Sequence, residues 1–155
     1  MCKVCWILVL IFGLASGGLA YTFLIKGETV AASDGRSAIL LVEGERDLVL
    51  SEMRAFLDTV QIIITAANKE DMDTVVKAAR SVGFAAQQGV PTSLMKKLPI
   101  SFKQLGMATH KAFDQLAIDA GDLGDKQQVM EQLGELMGNC VTCHATYRID
   151  LDTRK

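Results

Sequence analysis

Proline and histidine each occur twice in 155 residues, tryptophan once and cysteine four times. These scarcities exclude several classes. Two prolines and 13 glycines do not make a collagenous, low-complexity or loop-rich all-β chain. Four cysteines are too few for a disulfide-dense scaffold, and they stand in two close pairs, Cys2/Cys5 and Cys140/Cys143. An excess of positive charge is missing. With 16 Lys and Arg against 18 Asp and Glu the net charge is −2, which gives no basic footprint for nucleic acid. A second long apolar run is missing too, which argues against a polytopic transporter. The length suits one soluble domain rather than two.

The one apolar run stretches from Val4 to Ile25, 22 residues without a charge, flanked by Lys3 and Lys26. As a helix it would be about 33 Å long, enough to cross a hydrocarbon core of about 30 Å. Trp6 and Tyr21 sit near its ends, where amphipathic rings favour the interface. A signal peptide cut after Ala20 is one reading. An uncleaved signal-anchor is the other, and it is favoured because the run stays apolar past that point. Either way the rest of the chain crosses the membrane. Cys2 and Cys5 form a C-x-x-C that no histidine follows, so they read as free thiols on the inner side of the membrane.

Residues 1–26 are therefore expected to be the transmembrane segment, 27–44 a linker and 45–155 the functional domain. Within the linker, Ala38 to Val42 is apolar and could pack on the domain or begin its first helix. From Glu45 onward the apolar residues recur with helical period. Leu50, Met53, Leu57, Val60, Ile64 and Ala67 mark a first helix over about 45–67. Met72, Val75, Val76, Ala79, Val82 and Ala86 mark a second over about 70–88, ended by Gly89-Val90-Pro91. Phe102, Leu105, Thr109, Phe113, Leu116 and Ala120 mark a third over about 99–120, with Gly121 to Gly124 as a turn. Val129, Leu133, Leu136, Met137, Cys140, His144 and Tyr147 mark a fourth over about 125–148. No strand is expected. The fold class is all-α: an antiparallel four-helix bundle preceded by a membrane-directed helix.

Cys140-Val141-Thr142-Cys143-His144 is a C-x-x-C-H, the attachment signature of c-type haem. Two thiols so spaced reach two vinyl groups of one porphyrin, and the adjacent imidazole can then ligate the iron. A thioredoxin-like pair would want a βαβ context, and a zinc site two more ligands, with only His110 left in the domain. Two histidines in the chain make a chance His directly after the second Cys about a 1-in-80 event. Export of the domain agrees, because haem c is attached outside the cytoplasm.

The stretch Cys140 to Arg148 resembles the cytochrome c-prime family, whose motif C-x-x-C-H-x-x-aromatic-basic lies on the last helix of a four-helix bundle. The resemblance implies one covalent haem c between the first and last helices. Cys140 and Cys143 would be its attachment points, His144 the proximal ligand, and Tyr147 and Arg148 the aromatic and basic residues beside it. It also admits a homodimer.

In an antiparallel pair the start of the first helix lies beside the end of the last, so Leu50 and Met53 are the distal candidates. Met53 would be a thioether sixth ligand that raises the potential. Leu50, four residues after Arg46, would instead leave the iron five-coordinate. His110 falls near mid-bundle and reads as a hydrogen-bonded, partly buried histidine. Met72, Met95, Met107, Met130 and Met137 read as packing residues. The leading expectation is an electron carrier, not an enzyme, serving redox protein partners on the periplasmic side of a bacterial inner membrane. The alternative is a five-coordinate protein that binds NO or CO.

Overall fold

The computed structural model describes residues 3–21, 25 and 27–154. Helix α1 spans Lys3–Ala20, with none of its residues buried. It is long and apolar enough to cross a membrane by length and composition. Cys5 is an exposed free thiol on it. Cys2 and Lys26 lie outside the described residues.

Four long-axis helices follow: α2 (Glu43–Asn68), α3 (Met72–Ser81), α5 (Ile100–Leu123) and α6 (Lys126–Thr146), with the short α4 (Thr92–Lys97) between α3 and α5. Each start has a local cause. Val42 enters α2 extended, and Glu43 and Glu45 place negative charge on the helix N-terminus. Asp71 accepts the Thr74 N–H at 3.1 Å at the start of α3, and Asp125 accepts Gln127 N–H at 2.7 Å at the start of α6. Gly124, at φ +63, ends α5 in the left-handed conformation.

The helices close a ring in which α2 packs on α3, α3 on α5, α5 on α6 and α6 on α2. Their shared core holds Val60, Ile63, Val75, Phe113, Leu116, Val129 and Leu133, and Phe56 stacks on Phe113 at 5.5 Å. The expected all-α bundle with a leading apolar helix is what the chain forms.

Several expected boundaries move. The second helix stops at Ser81 rather than near residue 88. The Asp114 carboxylate accepts the Phe84 N–H at 2.8 Å, and residues Phe84–Gln87 tighten into a 3-10 turn. The fourth helix stops at Thr146 because the next five residues pair elsewhere. Leu57, expected on the core stripe, is 69% exposed, while Val49 takes a buried place. Met107 and Met137, expected to pack, are also exposed, at 40% and 42%.

The larger departure is a three-stranded sheet where no strand was expected. β1 (Thr29–Ala31) pairs antiparallel with β2 (Ser37–Leu41), and β2 pairs parallel with β3 (Tyr147–Leu151). The segment 27–44 is therefore no plain linker. Ala38 to Leu41 are buried, and Ile39 and Leu41 anchor a second core with Val49, Leu94 and Leu98. Gly27, at φ +64, fits against the backbone of Lys97 to Pro99, and Glu28 N–H donates to the Lys97 carbonyl at 2.7 Å. The sheet closes the end of the bundle where α2 begins and α6 ends.

Candidate functional site

Val129, Leu133 and Leu136 form the buried stripe of α6. Cys140 and Cys143 continue that stripe at +4 and +7 from Leu136, so both are half-buried. Both are free thiols. Burial raises the pKa of each above the ordinary thiol value, and Cys140 adds to the rise at Cys143, so both carry their protons at neutral pH.

His144 lies one residue off the stripe, exposed in the last turn of α6. Its imidazole has no hydrogen-bond or ion-pair partner among the described residues. Met137 and Val141, seven and three residues earlier on the same side, are 42% and 68% exposed.

The α2 residues that answer this side are Arg46, Leu50, Met53 and Leu57, which recur at 4-3-4 spacing and so share one face. Glu52 and Leu48 line a cavity with α4 and α5, and helical geometry puts Leu57 about 140° and 180° round α2 from them. The face bearing Leu57 therefore turns towards α6. Leu50 and Met53 are half-buried on it. Met53 packs against the second core, as do Tyr147 and Ile149, three and five residues after His144. The start of α2 and the end of α6 thus meet at one end of the bundle. Arg46 contributes a buried Nε that has no hydrogen-bond partner among the described residues.

Tyr147 turns inward at the junction of α6 and β3. Its hydroxyl hydrogen-bonds the Ser101 hydroxyl, and Phe102 meets its ring edge-on at 5.5 Å. Arg148 is neither free nor simply solvated. It pairs with Asp150 at 2.9 Å and Asp34 at 3.3 Å, and these partners, Asp150 first, raise its pKa further. Arg36 donates to the His144 carbonyl at 3.2 Å, a contact not apparent from sequence spacing.

The cavity beside Leu48 and Glu52 holds about 180 Å³, and Cys140, Cys143 and His144 do not line it. Beside it lies His110, only 1% exposed. Its Nδ1 meets the Val82 carbonyl at 2.7 Å, and its Nε2 meets Gln87 and lies 3.3 Å from Glu52. Both ring nitrogens are engaged, so His110 is a buried, hydrogen-bonded histidine on the side of α2 away from the Cys-His motif.

Residues 97–148 match the family model for Cytochrome C'. That stretch is cytochrome c-prime-like. No curated protein and no solved structure matches the chain. The matched stretch takes in all of α5 and α6, and with them Cys140, Cys143 and His144. It supports a haem-binding cytochrome and implies haem as the cofactor.

The residues fit such a group. Two half-buried thiols and an unpartnered imidazole stand within five positions of one helix. Large apolar side chains, Leu57, Met137 and Val141, are left exposed on the facing flanks of α2 and α6, an apolar surface that a macrocycle would cover. The orphaned Arg46 nitrogen, costly when buried alone, is a donor for a carboxylate such as a haem propionate.

Proposed function

We propose that this cytochrome c-prime-like chain is a monohaem c-type cytochrome that carries single electrons. It would be tethered or exported to the periplasmic side of a bacterial inner membrane. The observation that carries this reading is the unpartnered His144 imidazole beside the two half-buried thiols, inside the family-matched stretch. Bound haem supplies a one-electron Fe(II)/Fe(III) couple.

The chain's residues divide the remaining work. Cys140 and Cys143 would hold the haem through their sulfurs. His144 would offer its imidazole nitrogen to the iron. Leu50, Leu57, Met137 and Val141 would pack against the haem's apolar faces and keep water from them. Arg46 offsets propionate charge. Met53 would offer a thioether to the iron, a ligand type that raises the potential. Helix α1 tethers the domain to the membrane. Redox proteins are the partners, and a homodimer remains compatible with the resemblance.

A second reading has its own observation. Leu50 is half-buried on the same α2 face as Met53 and offers an apolar distal wall without a ligand. A haem held there without a thioether ligand would be open to NO or CO. An enzymatic reading would want an acid-base pair beside the Cys-His motif. The close pair Glu52 and His110 instead borders the cavity on the other side of α2.

Ultraviolet-visible and resonance Raman spectra of the haem-loaded chain test the choice. Electron carriage with Met53 ligation gives low-spin spectra that turn high-spin in Met53→Ala. High-spin ferric and ferrous wild type that binds CO at once would reject Met53 and favour the gas-binding reading.

A further inference from the structure

We infer that the β1–β2 hairpin belongs to the proximal side of the haem site, with Arg36 as a positioning residue that holds His144. The inference rests on the haem reading above. It starts from a general feature of helices, whose last carbonyls have no partner inside the helix.

In α6 the Cys143 carbonyl takes the Tyr147 N–H. The His144 carbonyl takes Arg36 Nη1 at 3.2 Å, and the same nitrogen reaches the Tyr147 carbonyl at 3.4 Å. One guanidinium nitrogen thus grips the backbone on both sides of the α6–β3 junction, from 108 residues away in sequence. It also places positive charge at the negative end of the helix dipole.

Arg36 is itself fixed. Its Nε and Nη2 donate to Asp34 Oδ2 at 3.0 and 2.7 Å, and its backbone N–H donates to Asp34 Oδ1 at 3.1 Å. Gly35, at φ +84, makes the turn that lets residues 34 and 36 face each other. Asp34 also receives Arg148 Nη1 at 3.3 Å, and Arg148 donates to Asp150 at 2.9 Å. Immediately beyond, Ser37 pairs in register with Tyr147. The hairpin, Asp34 and two arginines therefore enclose the residues that follow His144.

This clamp fixes the backbone from which the imidazole projects. It limits where the ring can reach relative to Cys143, and would so bias the orientation of an iron–histidine bond. Partners that orient a ligand from outside tune the metal it holds. Lysine cannot reproduce the arrangement, because it lacks the fork that serves Asp34 and the carbonyls together.

The test uses the full chain produced with haem attachment, as wild type, Arg36→Ala, Arg36→Lys, Asp34→Asn and Arg154→Ala. Arg154 is the control. It pairs with Asp152 and Glu28 beside the ends of β3 and β1, and among the described residues none of its hydrogen bonds or ion pairs reaches α6. Three quantities are read: amide hydrogen exchange over residues 144–148, the ferrous iron–histidine Raman band, and the midpoint potential.

Losing a hydrogen bond to a charged donor should speed exchange about tenfold in Arg36→Ala. The band and the potential should shift as well, with Arg36→Lys and Asp34→Asn between the extremes and Arg154→Ala unchanged. If Arg36→Ala does not fold, Asp34→Asn and Arg36→Lys carry the comparison. Identical exchange, band and potential in wild type and the Arg36 and Asp34 variants would overturn the inference. A wild-type chain without covalent haem would refute the haem reading instead, and unchanged exchange in Arg36→Ala would still overturn the clamp.

Discussion

Replacing Ile39 by alanine puts the sheet to a quantitative test. Ile39 is fully buried in β2, among Leu41, Val49, Leu94 and Leu98. The change removes three carbons, each worth about 0.8 kcal/mol when buried. The hole left behind adds to this loss, because a strand held on both sides cannot collapse into it. The total falls near 3 kcal/mol, within the range of about 2–5 kcal/mol for such truncations. At about 2–4 °C per kcal/mol for a chain of this size, the melting temperature should drop by about 6–12 °C. Urea unfolding followed by helical circular dichroism, with the full chain in detergent, measures it directly. If residues 27–44 were an unstructured tether, the substitution would cost nothing. A loss below about 0.5 kcal/mol, the ordinary range for surface changes, would therefore refute the placement of β2 in the domain.

Two further expectations follow from the same packing. Burial lowers the His110 pKa, but the hydrogen bond that the Glu52 carboxylate accepts, the Val82 carbonyl and the Glu52 charge outweigh it, so the folded value is raised above 6.5. Protonated His110 then contributes its full stabilisation below pH 6.5, and that contribution disappears as pH rises through the folded value. The urea midpoint should fall across that window and do so less in His110→Gln; equal slopes would count against the pairing. At Gly27 an added Cβ would sit 2.6 Å from Pro99 N and 2.7 Å from the Leu98 carbonyl carbon, at φ +64. Gly27→Ala should thus cost about 1–3 kcal/mol in thermal unfolding, and a neutral result would show that the chain does not dock there.

The helices were legible because their apolar residues repeat every three or four positions over long stretches. The sheet was not, for three physical reasons. Ala38-Ile39-Leu40-Leu41 is a continuous apolar run, and such a run does not distinguish a buried strand from a helix. Tyr147-Arg148-Ile149-Asp150-Leu151 does alternate as a strand should, but it begins where the helical stripe through Cys143 is still in phase. Its pairing partner also lies about 110 residues away, beyond any local pattern.

Periodicity likewise grouped Leu57 with the core, because spacing cannot distinguish a face that meets protein from an apolar face left exposed. At the candidate site the Cys-His motif was plain in sequence. Arg36 and the orphaned Arg46 nitrogen were not, because their significance lies in which atoms have partners.

The central claim is that Cys140 and Cys143 hold one haem with His144 as proximal ligand. Intact-protein mass spectrometry, after acid extraction of loosely bound pigment, tests it most directly on the full chain exported from a host that attaches haem c. The account predicts a mass increase of one haem, mapped to the peptide carrying Cys140 and Cys143 and absent in Cys140→Ser with Cys143→Ser. Unmodified free thiols at both positions would contradict it.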